Sequence, residues 1–144
     1  MTCLESANRT TVPVKDAQWV AETAMRQLKL VPVEPNRSIV DLFLKDPFVL
    51  GYAIGFIEQA CWHGNNGDGE KNNPDFLRNA LAHILNDSVV ATSFLSFAIT
   101  KQGSRVFEGG YDAGLQDMDA LYLSHGAQLP CSLAYYLRSQ SMQV

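Results

Sequence analysis

The run Asp46-Pro47-Phe48-Val49-Leu50-Gly51-Tyr52-Ala53-Ile54-Gly55-Phe56-Ile57-Glu58-Gln59-Ala60 decides the fold. Aspartate caps helices well, and proline suits the first helical position because an N–H there would have no helical partner. Phe48, Leu50, Ile54, Phe56, Ile57 and Ala60 carry an apolar pattern that Gly64 stops, which predicts a long helix opening at Pro47. Inside it, Phe48-x-x-Gly51-Tyr52-x-x-Gly55-Phe56-x-Glu58 is matched 59 positions later by Phe107-x-x-Gly110-Tyr111-x-x-Gly114-Leu115-x-Asp117.

Glycine inside a helix costs roughly 1 kcal/mol relative to alanine, so two glycine pairs spaced by four call for a compensating gain. Close approach supplies it. The leading expectation is that the two helices cross in the core on the faces of Gly51, Gly55, Gly110 and Gly114; the other is that these faces line a ligand pocket or a homodimer seam. A weaker pair, Ala24-Met25-x-x-Leu28 and Ala80-Leu81-x-x-Ile84, recurs at an offset of 56. Together they suggest an internal repeat of a three-helix unit, residues 14–61 and 74–124, related by a pseudo-two-fold axis.

Outward from this pair, residues 1–13 are polar and unperiodic and read as a flexible N-terminal arm. Ala17, Val20, Ala21, Ala24, Met25 and Leu28 recur at helical spacing, predicting a helix near 14–30, followed by a stiff connector with Pro32 and Pro35. Ser38 to Leu44 reads as a short helix, and residues 63–73, rich in Asn, Gly and Asp, as a mobile loop. That loop does not satisfy the ligand spacing of a calcium-binding hand. Asn73-Pro74 repeats the cap-and-proline start of a helix ending near Asn86-Asp87. Ser88 to Lys101 is apolar on most sides and reads as a buried helix, Ser104 caps a helix reaching about Ser124, and Leu129-Pro130 opens a last one. The prediction is an all-α, single-domain bundle of six or seven helices.

The chain has 144 residues, 47% hydrophobic and 18% charged, which suits one globular domain with a substantial core and excludes a disordered or collagen-like chain. Its formal charge of −4 argues against a nucleic-acid partner. The longest uncharged run, Ser88 to Thr100, is too short and too rich in Ser and Thr to span a bilayer, so no membrane is expected. Residues 1–9 lack the apolar run of an export signal, and Cys3, Cys61 and Cys131 form no C-x-x-C pair, so a cytoplasmic chain with reduced thiols is expected. Cys61 and Cys131 read as small buried hydrophobes rather than nucleophiles.

Glu58 and Asp117 each stand three residues after a glycine of the crossing, so each carboxylate should reach the partner helix near its tyrosine. Tyr52, Glu58, Tyr111 and Asp117 are therefore the candidate ligand-binding residues, and the alternative is a helix acid simply capped by a tyrosine. No dimetal Glu-x-x-His spacing, phosphate loop or hydrolase elbow is present, so no catalytic residue, metal or cofactor is assigned. His63 and His125 precede glycines at helix ends and are expected to favour the terminal carbonyls, and His83, inside a helix between Leu81 and Leu85, reads as a boundary histidine. The expected function is a cytoplasmic protein-interaction or regulatory module, homodimeric and with an unidentified protein partner. The competing one is a small enzyme, or a binder of a metal or small ligand, centred on the glycine-faced helix pair.

Overall fold

Side-chain caps start six of the seven α-helices in the computed structural model, which describes residues 12–30, 38–65 and 73–141. Asp16, Ser38, Asp46, Asn73, Asp87 and Ser104 each accept a bond from a first-turn N–H, opening α1 (Ala17–Met25), α2 (Ile39–Lys45), α3 (Pro47–Gly64), α4 (Pro74–Leu85), α5 (Ser88–Lys101) and α6 (Arg105–Leu123). Pro47 and Pro74 stand in the first turn of α3 and α4. The seventh helix, α7 (Ser132–Ser141), takes its caps from distant side chains described below. No strand occurs among the described residues, and the chain is an all-α bundle.

Helix α3 is the centre of the molecule. Every residue from Val49 to Ile57 is buried, and so are Gln59, Ala60 and Cys61. Helix α6 lies along it in the same direction, since Gly51 faces Phe107, Gly55 faces Tyr111 and His63 faces Tyr122. The backbones touch. A Cβ on Gly51 or Gly55 would penetrate the carbonyl oxygens of Phe107 and Tyr111, and one on Gly110 or Gly114 those of Phe48 and Tyr52. These four contacts are reciprocal under the offset of 59, so the crossing has local two-fold symmetry. Around it the packing differs on the two sides: α3 is flanked by α1, α2 and α4, whereas the main neighbours of α6 are α3 and α7.

Three expectations need correction. The helix foreseen over 14–30 is α-helical only over Ala17–Met25 and tightens to a 3₁₀ turn, Arg26–Leu30, where Gln27 turns its buried side chain inward to bond Ala24 and α3. Val12 is buried, so core packing starts inside the stretch read as an arm; residues 1–11, the 31–37 connector and most of the 63–73 loop lie outside the described residues. Helix α5 is not buried all round. The chain turns by 117° after α4, which leaves α5 at the edge of the bundle with Ala91, Phe94 and Ala98 inward and Val89 and Ile99 exposed. No single helix among the described residues is long and apolar enough to cross a membrane.

Candidate functional site

The i, i+4 geometry that aligns each glycine pair also sends the acids across the crossing. Tyr52 donates its hydroxyl proton to Asp117 at 2.6 Å, and Tyr111 donates to Glu58. The two pairs correspond under the same offset as the glycines. Their surroundings do not.

Tyr52 is fully buried, and its oxygen also accepts a bond from Gln27 Nε2 at 2.7 Å. Asp117 in turn accepts the Ser132 N–H at 3.0 Å and the Ser132 hydroxyl at 2.6 Å, and Gln27 Oε1 accepts the Ala134 N–H at 3.0 Å. These side chains cap the first turn of α7, whose orphan N–H groups would otherwise be buried without partners. Tyr136 stacks on Phe48 with ring centroids 3.8 Å apart and donates to Asp46, which fixes the same helix further along. Burial, followed by the Asp117 charge, holds the Tyr52 hydroxyl well above its usual range. Tyr52 and Asp117, candidate ligand residues by sequence, form the joint that locks α7 to α3, α6 and the 3₁₀ turn.

Tyr111 and Glu58 open onto a cleft of about 500 Å³ between α3, α4, α5 and α6. Its walls are Ile54, Leu77, Leu95, Ala98, Ile99 and Phe107; its polar groups are Glu58, Tyr111, Gln102 and Glu108. An apolar concavity of this size with a few convergent polar groups is the usual form of a small-molecule site. Burial and the Glu58 contact push the Tyr111 hydroxyl upward, so it remains a proton-bearing phenol and is not a nucleophile. A second cleft of about 550 Å³ lies between α1, α2 and α4, but its polar residues Glu22, Arg26, Lys29 and His83 are all exposed.

A third polar layer crosses between the same helices. Asp119 Oδ1 accepts Gln59 Nε2 at 2.7 Å and meets His63 Nε2 at 2.6 Å, while the His63 ring stacks on Tyr122 at 4.1 Å. His63 thus binds across to α6 rather than to the terminal carbonyls of its own helix. Its place was readable as the continuation of the ridge Gly51, Gly55, Gln59, His63, facing Gly110, Gly114, Met118, Tyr122. Gln27 and Ser132 carried no such signal, because their positions depend on how the 3₁₀ turn and α7 dock. Cys61 is buried as expected, but Cys131 is exposed at the start of α7, which corrects its reading as a core residue. Among the described residues, no group of three or more His, Cys, Asp or Glu side chains is arranged to hold a metal ion.

Comparison with protein-family models, with curated proteins and with solved structures finds no match to this chain.

Proposed function

We propose that the protein is a small-ligand-binding module whose site is the cleft beside the Tyr111–Glu58 pair. The supporting observation is the divergence of two matched pairs: one is sealed under α7, and the other faces an apolar cavity. A purely structural tyrosine–carboxylate contact needs no such cavity. The volume of about 500 Å³ lies within the range of small-ligand pockets, roughly 300–1,000 Å³. Binding rather than catalysis is favoured because the one hydroxyl at the floor keeps its proton and is already committed to Glu58.

The edge position of α5 gives this reading a regulatory side. It supplies Leu95, Ala98 and Ile99 to the wall, while much of its surface is in solvent, so its packing is the easiest part of the site for a ligand to alter. Filling the cleft is the direct test. Ala98→Trp should occupy the cavity, keep the helical circular dichroism of the parent, and abolish the chemical-shift changes that small aromatic probes produce at Ile54, Leu95 and Ile99. Probe binding with dissociation constants on the order of 1 mM or below is expected for the parent chain. Unchanged probe binding in the filled variant would place the site elsewhere.

A further inference from the structure

We infer that the cleft takes an uncharged ligand, an apolar body carrying one carbonyl or hydroxyl group that meets Gln102. The inference rests on the cleft reading above and deepens it by naming the class of ligand the lining selects.

An anion finds no counterion there. Among the described lining residues none is Lys, Arg or His, and two are glutamates, so a bound carboxylate would lose its hydration beside like charges. A cation finds its counter-charge either engaged or in water. Glu58 accepts the Tyr111 proton and has a further interaction within the chain, so an ammonium group would have to compete with groups already in place. Glu108 is exposed, and a carboxylate in solvent offsets little of what an ammonium ion loses on leaving water. A neutral body avoids both losses.

The walls and the mouth supply the rest. Ile54, Leu77, Ala98 and Phe107 are buried side chains that also line the cleft, and covering them with an apolar body adds to affinity in proportion to area. Gln102 follows the last residue of α5, is exposed, and lines the same cleft. Its side-chain amide carries two N–H donors and an acceptor oxygen. It therefore pairs with a carbonyl or a hydroxyl of the ligand without any charge leaving water. Because Gln102 stands where solvent enters, that bond orients the ligand more than it tightens it.

The test titrates the full chain at neutral pH with three compounds that share a phenylethyl body: 4-phenyl-2-butanone, 4-phenylbutan-2-amine and 3-phenylpropionate. The ketone should produce chemical-shift changes centred on Ile54, Leu77 and Leu95 and bind about tenfold more tightly than the amine, with no saturation by the acid. Gln102 is exposed, so Gln102→Ala should fold normally, and it should weaken the ketone by about two- to fivefold. Equal or tighter binding of the amine or the acid at the cleft overturns the uncharged assignment and leaves the cleft standing. Undiminished binding of the ketone by the Gln102→Ala chain overturns the role of Gln102. Failure of all three compounds to perturb the cleft overturns both the ligand class and the cleft reading.

Discussion

Gly109 and Gly110 are neighbours in α6 with opposite duties. A Cβ on Gly109 meets nothing within 4 Å, whereas one on Gly110 would penetrate the Phe48 carbonyl. Both are helical, so alanine should gain about 0.5–1 kcal/mol of backbone preference at either position. At Gly110 that gain is overwhelmed by forcing two packed backbones apart, with overpacking losses of about 1–3 kcal/mol or more. Gly109→Ala is therefore expected to raise the urea midpoint of unfolding and Gly110→Ala to lower it. A Gly110→Ala chain as stable as the parent would remove the close crossing from the account. At this scale the sequence was informative because a helical glycine is costly and a repeated pair of them needs a reason. It was silent on which tyrosine would face a cavity, since that is decided by α7 covering Tyr52 while α5 only walls Tyr111.

Helix α7 is held by side chains from three other elements, and Tyr52 stands at their junction. Its hydroxyl ordinarily titrates near 10 and is held well above that in the folded chain, first by burial and then by Asp117. The native state keeps a proton that the unfolded chain releases, so this contribution is complete below about pH 10 and is lost as pH rises toward the folded value. Tyr136, pushed up to about 12 by burial and its bond to Asp46, acts in the same direction about one turn into α7. The unfolding free energy should fall between pH 10 and 11.5, with Tyr52 adding up to about 1.4 kcal/mol per pH unit to the slope. Tyr52→Phe should be less stable than the parent at neutral pH, by about 1–3 kcal/mol for its stranded partners, yet show a shallower alkaline decline. Parallel declines in the two chains would show that the buried hydroxyl does not link α7 to pH. Element boundaries were largely legible here, because Asp46-Pro47, Asn73-Pro74 and Ser104 are strong local start signals. The burial of α5 was not, because composition cannot report a 117° turn that leaves a helix at the edge.

For the whole molecule, the glycine faces set the expected assembly. They were the sharpest sequence argument for a homodimer seam, and they are consumed within one chain by the α3–α6 crossing. Among the described residues, what remains for self-association is a set of large exposed apolar side chains carried by different elements: Leu30 in the 3₁₀ turn, Leu44 on α2, Val89 and Ile99 on α5, Val106 and Leu123 on α6, Leu129 in the following loop, Tyr135 on α7. Scattered exposed side chains of this kind are ordinary on monomers, whereas a stable interface buries on the order of 800 Å² per partner in one patch. The purified chain is accordingly expected to sediment as a single 15.9 kDa species across micromolar concentrations. Adding a small aromatic probe that enters the cleft should leave that mass unchanged, since the cleft lies within one chain and needs no second copy to complete its walls. A mass that doubles with concentration would restore the dimeric interaction module as the better reading. Doubling only with the probe would instead mean that occupancy of the cleft moves α5 and exposes a seam, which ties the regulatory side of the proposed function to the least buried wall of its site.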